Sequence, residues 1–307
     1  MNKENLRIVY MGTPAFAVPP LDALIEEGYR VVAVVTVADK PAGRGRKLSQ
    51  SAVKEAALRH ELPVLQPTSL KDAHFLSELE ALHADLFVVV AFRMLPKAVW
   101  AMPKLGTFNL HGSLLPKYRG AAPIQWAVIN GDRTTGLTTF LLDEAIDTGG
   151  ILLQREMSID PDWTAGDLHD RLMPLGARMV VETVEGLAQN SLVAMPQNSE
   201  EASHAPKLFK EDAALDFTQQ PAALRQQILG MSPHPGAHAQ GYKFLNAVLC
   251  EEEVRSEHPV LLRRDKRLIL SYPFGSLEIT QIVPPGKRPM DGRSFANGLG
   301  DRTVVLD

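Results

Sequence analysis

The sequence predicts an α/β protein, with an open, doubly wound sheet in its first 190 residues and a small β-rich domain after residue 206. Three observations carry that expectation. Short apolar, β-branched runs alternate with stretches of helical periodicity through the first half, the rhythm of β-α-β units. Those runs are continuously apolar rather than alternating, as strands covered on both faces by helices must be. Beyond residue 206, strand signals follow one another with a single short helix among them.

Taken in order, residues 6–11 form an apolar run closed by Gly12-Thr13-Pro14, a strand and its turn. Residues 17–27 place Val18, Leu21, Leu24 and Ile25 on one helical face, with Gly28 as the stop. Residues 31–37 read as a buried strand, 73–82 as a helix and 86–91 as the next strand. A short segment at 96–102 precedes a strand at 107–111, at whose carboxyl end a doubly wound sheet places its ligands. Two more strands, 137–142 and 151–159, flank the polar turn Asp147-Thr148-Gly149-Gly150. Thr164 to Asp167 has the form of a capping box opening a helix to about Gln189, irregular at Pro174. Residues 191–206 lack periodicity and contain Pro196, Asn198, Ser203 and Pro206; they read as a linker between domains at 1–190 and 207–307. A short helix near 222–229 and strands at 242–250, 260–264, 268–272 and 277–283 then suggest a small barrel or sandwich.

Composition narrows the class. With 307 residues, 45% hydrophobic and 22% charged, the chain falls in the ordinary globular range. Its longest apolar run covers the seven residues 86–92, against about 20 for a membrane span. No apolar core of an export signal follows Met1, and one cysteine, Cys250, excludes intramolecular disulfides and Cys-rich zinc modules. The expected compartment is the cytoplasm, with no membrane partner, no metal, and a monomeric state. The net charge of −4 divides into −5 over residues 1–206 (19 bases, 24 acids) and +1 over 207–307 (13 and 12). That difference is too small to indicate a partner, so clusters matter more.

Gly12 is the first candidate, but Met11-Gly12-Thr13-Pro14 lacks the second glycine of a dinucleotide fingerprint, and Asp39 lies 27 residues on. A tight turn is the better reading. On the strand at 107–111, Asn109 and His111 share one face while Phe108 and Leu110 take the other. A lone histidine would be read as a core residue; an amide beside an imidazole at the mouth of a parallel sheet points to chemistry instead. Asp147 is the natural third member, although an Asx-turn role is the better reading of it in isolation. No Gly-x-Ser-x-Gly elbow occurs. An amide, an imidazole and a carboxylate without a protein nucleophile suit attack of a substrate amine on a carbonyl. Asn109 and protonated His111 would stabilise the oxyanion, and Asp147 would hold the histidine and relay the amine's proton. The third feature is basic: Lys40, Arg44, Arg46 and Lys47 lie within nine residues, 39–47, with two glycines and one acid. Such a run is usually a solvated loop, but its place after a strand suits a phosphate backbone. His234 and His238 flank Pro235-Gly236, which rules out a zinc-binding helix, and Glu251-Glu252-Glu253 reads as a solvated turn.

Asn109-x-His111-x-Ser113-Leu114-Leu115-Pro116, taken with Asp147, resembles the folate-dependent formyltransferases, which move a formyl group from 10-formyltetrahydrofolate to an amine. Residues 11–17, the basic stretch 41–48, residues 118–125 and residues 205–212 are similar to the branch of that family that acts on methionyl-tRNA. The resemblance spans nearly the whole chain. It implies a Rossmann-like formyltransferase domain followed by a small OB-like β-barrel that contacts tRNA. It also implies transfer of the formyl group to the α-amine of methionyl-tRNA for translation initiation, with catalysis by Asn109, His111 and Asp147. Ser113, Leu114, Leu115 and Pro116 would then contact tetrahydrofolate, and Lys40, Arg44, Arg46, Lys47, Lys207 and Lys210 the tRNA. The chain departs from the family at Phe92-Arg93-Met94 and at Ser232-Pro233-His234-Pro235-Gly236, where that family often carries an aromatic-glycine pair and a tryptophan-containing turn. Two rival readings stand beside this one. A sugar-nucleotide formyltransferase shares Asn-x-His and the appended barrel, but the basic loop counts against it. A non-catalytic RNA-binding protein would not need the trio.

Overall fold

The computed structural model describes residues 3–42, 47–251 and 254–306. Arg44, Arg46, Glu252 and Glu253 therefore lie outside the described residues, as does the side chain of Lys47. Two compact units interleave in sequence. The first comprises Met1–Gly120, Gly136–Glu156 and Asp170–His204, and the second Ala121–Thr135, Met157–His169 and Ala205–Asp307.

The first unit is built on a seven-stranded sheet in the order Ile151–Ser158, Thr134–Leu141, Thr107–His111, Leu86–Val90, Arg7–Gly12, Arg30–Val35, Val64–Leu65. Arg7–Gly12 pairs in parallel with both Arg30–Val35 and Leu86–Val90, and Leu86–Val90 in parallel with Thr107–His111. Thr107–His111 meets Thr134–Leu141 antiparallel. The chain thus winds outward on one side of Arg7–Gly12, then returns to wind outward on the other. That reversal is the switch point of a doubly wound sheet, where a crevice opens at the carboxyl ends of the strands.

Burial follows the sequence pattern. All five residues of Leu86–Val90 are buried, as a strand covered on both faces requires, while Ile151–Ser158 at the sheet edge is largely half-buried or exposed. Gly12 is explained by close packing: a Cβ there would come 2.7 Å from the Ala17 Cβ. The long helix Ala165–Ala188 opens with reciprocal bonds, Asp167 N–H to Thr164 Oγ1 (3.1 Å) and Thr164 N–H to Asp167 Oδ2 (2.9 Å). The helix runs on through Pro174 without a break, contrary to the expected irregularity. Leu172, Met179 and Val180 are fully buried along it, and Gly176 lets it approach the sheet, since a Cβ there would be 2.8 Å from Leu110. Packing on that face outweighs the one backbone bond a proline removes.

Among the elements that carry no strong sequence signal are one hairpin and three helices. The hairpin Lys40–Ala42 with Lys47–Ser49 forms the root of the basic loop. Ala52–Arg59 is a helix capped by Ser51, which accepts from Lys54 N–H at 3.1 Å. Pro123–Ile129 and Gly292–Leu299 are the other two. Residues 191–204 are not a free tether: Met195 exchanges two 2.8 Å backbone bonds with Ile151, and Ser203 C=O accepts from Arg119 N–H at 2.8 Å.

The second unit holds an antiparallel sheet curled into a half-barrel, in the order Ala237–Ala239, Tyr242–Leu249, Gly275–Val283, Arg267–Tyr272, Val260–Arg264, Val304–Val305. Met290–Asp291 pairs with Gly275–Val283 off that path. Its core joins Phe244, Leu261, Leu268 and Tyr272 to Leu224 and Ile228 of the helix Pro221–Gly230. Pro123–Ile129 packs on that same helix, at a point where a Cβ on Gly230 would be 2.3 Å from Ile129. Buried Arg225 donates to the carbonyls of Ala247 (2.9 Å) and Pro161 (3.0 Å) and pairs with Asp162. Among the described residues no helix is long and apolar enough to cross a membrane.

Candidate active site

Thr107–His111 is paired on both sides, with Asn109 opposite Val89 across one seam and Phe140 across the other. The strand's own ladder therefore fixes the backbone from which the two polar side chains project. Asn109 is half-buried, and among the described residues its carboxamide makes no hydrogen bond. His111 is 5% exposed and meets the Phe140 ring edge-on, with centroids 6.4 Å apart. Its Nε2–H donates to the Tyr118 carbonyl at 2.9 Å, which fixes Nε2 as the protonated nitrogen. Nδ1 then faces Asp147 Oδ2 at 3.7 Å, too long for a hydrogen bond. The Tyr118 carbonyl, rather than Asp147, is thus what orients the ring. Nδ1 remains the nitrogen available for chemistry.

Asp147 stands on a turn with φ of 55°, a left-handed conformation that few non-glycine residues adopt. Its Oδ2 accepts from Gly120 N–H at 2.8 Å, and among the described residues Oδ1 has no hydrogen-bond partner. The turn is closed tightly: a Cβ on Gly149 would lie 1.7 Å from the Leu141 carbonyl oxygen. Gln197 reaches the turn's main chain, donating to the carbonyls of Asp147 (2.9 Å) and Gly149 (2.8 Å). Sequence reasoning missed Gln197. It lies in a stretch without periodicity, and its partners are 50 and 48 residues away in the chain.

The loop after His111 is rigidified from within. The Ser113 hydroxyl donates to the Lys117 carbonyl at 2.6 Å. Thr138 Oγ1 donates to the Ser113 carbonyl (2.6 Å) and accepts from Leu115 N–H (3.0 Å) and Gln154 Nε2 (3.0 Å). Ser113 and Leu115 are consequently buried, and Leu114 and Pro116, half-buried, retain surface to offer a ligand.

The basic residues have a different setting. Lys40 is exposed, next to Asp39, whose carboxyl the Lys54 ammonium (2.6 Å) and the Gln66 amide (2.8 Å) hold below its usual range. In the second unit Lys207 and Lys210 are exposed, with Lys207 Nζ 5.1 Å from the centroid of the 55% exposed Phe209 ring. Arg93, one of the departures from the family pattern, donates to the carbonyls of Pro67 and Thr68 and lies over Phe92. Among the described residues no group of three or more His, Cys, Asp or Glu is placed to hold a metal.

Residues 6–184 match the family described as "Formyl transferase", and residues 207–300 match "Formyl transferase, C-terminal domain". A Flavobacterium johnsoniae protein named methionyl-tRNA formyltransferase is 47% identical over 305 residues, covering 96% of this chain and 97% of that one. A Parabacteroides distasonis protein of the same name is 48% identical, with 97% of each chain covered. The fold is shared with HypX of Aquifex aeolicus, solved with tetrahydrofolic acid (TM-score 0.67, 18% identity, 96% of this chain and 47% of that chain). It is shared as well with the N-formyltransferase of Helicobacter canadensis, solved with folinic acid and dTDP-3-aminofucose (TM-score 0.66, 19% identity, 89% and 98%).

Proposed function

The chain belongs to the formyl transferase family, among the methionyl-tRNA formyltransferases, and on that premise we propose that Asn109, His111 and Asp147 carry its chemistry. The protein transfers a formyl group from 10-formyltetrahydrofolate to the α-amine of methionyl-tRNA, making formylmethionyl-tRNA for translation initiation. The observation that supports the residue assignment best is an oriented imidazole whose Nδ1 lies 3.7 Å from the Asp147 carboxylate at the carboxyl end of a sheet strand. Asn109, whose amide has no hydrogen-bond partner among the described residues, stands two positions before it on the same strand.

The chemistry follows from what each group has left to give. An aminoacyl α-amine has a reference pKa near 7.7–8.0, lowered further by the neighbouring ester, so much of it is already neutral at cellular pH. The nitrogen attacks the formyl carbon, negative charge develops on the formyl oxygen, the carbon–N10 bond of the donor breaks, and the amine's proton passes to that nitrogen. The Asn109 carboxamide and the Nδ1–H of protonated His111 are the donors for the developing charge. Asp147 Oδ1, the oxygen not bonded to Gly120, takes up and returns the proton. Leu114 and Pro116 offer apolar surface to the tetrahydrofolate, while Ser113 and Leu115 act by shaping the loop.

Residues 1–190 are assigned the chemistry, 191–206 the link and 207–307 contact with tRNA, a division supported by the separate matches at 6–184 and 207–300. Lys40, Arg44, Arg46, Lys47, Lys207 and Lys210 are assigned to tRNA phosphates; exposure of Lys40, Lys207 and Lys210 supports this. The protein is assigned to the cytoplasm, and its assignment as a monomer is tested by sedimentation equilibrium. The activity is tested by offering the full chain 10-formyltetrahydrofolate with methionyl-tRNA, uncharged tRNA or an amino sugar nucleotide. Formylated product is expected with methionyl-tRNA alone.

A further inference from the structure

Gln197 lies where the sequence reads as linker, yet its carboxamide is fully engaged. Nε2 donates to the Asp147 carbonyl (2.9 Å) and the Gly149 carbonyl (2.8 Å), and Oε1 accepts from Arg119 Nε (3.1 Å) and Nη2 (2.7 Å). The opposite amide orientation would set nitrogen against a guanidinium and oxygen against two carbonyls, so the partners dictate this one. Arg119 is also held by its main chain, which donates to the Ser203 carbonyl at 2.8 Å, and the Ser203 hydroxyl accepts from Tyr118 N–H at 2.9 Å. The two residues so tethered flank the peptides that grip the proposed catalytic pair. The Tyr118 carbonyl holds His111 Nε2, and Gly120 N–H holds Asp147 Oδ2. Gln197 therefore ties the backbone that supports His111 to the backbone that carries Asp147.

We infer that Gln197, oriented by Arg119, is a positioning residue for formyl transfer, holding the Asp147 turn in the conformation that keeps its carboxylate beside His111 Nδ1. The inference rests on the reading that Asp147 and His111 carry the transfer. A left-handed non-glycine residue persists only where its surroundings over-determine it, and the two donations from Gln197 fall on the carbonyls at either end of that turn. The Gly120 bond holds the carboxylate tip, and the Gln197 bonds hold its base. Misplacement of a reacting group by about 1 Å costs on the order of a hundredfold in rate, so a loosened base would be felt in turnover.

The test uses the full chain with 10-formyltetrahydrofolate and methionyl-tRNA. Gln197→Glu keeps the acceptor for Arg119 and loses both donors, setting a carboxylate oxygen against two carbonyls. We expect kcat to fall by roughly 10- to 100-fold with both KM values within about twofold of wild type. In an Asp147→Asn background the same substitution should cause no further loss beyond about twofold, because the carboxylate it positions is already disabled. Gln197→Glu with wild-type kcat, or a double variant that loses the full additional factor, overturns the inference. A merely structural role would lower thermal stability and the active fraction while leaving kcat per active site and the additivity unchanged. Should Gln197→Glu not fold, Arg119→Met, which removes the group that orients the amide, is held to the same two outcomes. Near-wild-type turnover of Asp147→Asn alone would instead refute the catalytic reading.

Discussion

Asn109 and His111 stand on a strand paired on both sides, Val89 lying across one seam from Asn109 and Phe140 across the other, whereas Asp147 stands on a turn outside the strands. The strand residues take their spacing from the pleat, and beyond it His111 has only its ring set, by the Tyr118 carbonyl. Asp147 depends on support borrowed from elsewhere: Gly120 N–H, 27 residues back, and Gln197, 50 residues on. Groups presented by a ladder are positioned as soon as the sheet forms, while a group on a turn is only as well placed as the side chains that close it. Variants should separate these two kinds of support.

A large effect is expected on the strand side. Asn109→Ala should lower kcat by roughly 10²–10³. The carboxamide has no hydrogen-bond partner among the described residues, so none is orphaned there, and stability should change by less than about 0.5 kcal/mol. Steady-state kinetics and urea denaturation of the same preparation check both halves. On the turn side Gly149→Ala forces a Cβ to within 1.7 Å of the Leu141 carbonyl oxygen. Relief of that overlap should cost about 1–3 kcal/mol in denaturant unfolding, with a fall in turnover as the Asp147 turn shifts.

Legibility in the sequence follows the same division. The strand Thr107–His111 stands out because its apolar residues are buried and its polar ones share a face, a pattern set entirely by neighbours in the chain. Helix Ala52–Arg59 is hard to see because it buries only Val53, Ala56 and Ala57, a face too small to register as an apolar stripe. Gly292–Leu299 is obscured by two glycines and an asparagine, which are poor helix formers. Gly292 is there because a Cβ would lie 1.8 Å from the Ile279 carbonyl, a demand of tertiary packing that no local window contains. Gln197 is the extreme case. Nothing in Met195-Pro196-Gln197-Asn198 distinguishes it from a solvated linker residue until its partners at 119, 147 and 149 are in view.

Smaller effects on turnover should come from residues assigned no part in either support. Arg44→Ala, Arg46→Ala and Lys47→Ala together should leave folding nearly unchanged and make the salt dependence of tRNA binding shallower, by roughly 0.7–0.9 in slope for each phosphate that is no longer neutralised. Folate affinity should be unaffected. An unchanged slope would return the loop to a solvated role. Smallest of all, Gly298→Ala in the helix Gly292–Leu299 meets nothing within 4 Å and should stabilise the protein by up to about 1 kcal/mol, with no change in turnover. Thermal unfolding and a formylation assay would show it.

The catalytic assignment itself is tested most directly by the single-turnover formylation rate of Asp147→Asn, measured with saturating 10-formyltetrahydrofolate and methionyl-tRNA. The substitution keeps the side chain's shape and an oxygen to accept from Gly120 N–H, but removes the charge and the proton acceptor. That rate should be lower by at least about 10²–10³, with binding of both substrates retained. A rate near that of the wild type would contradict the catalytic assignment.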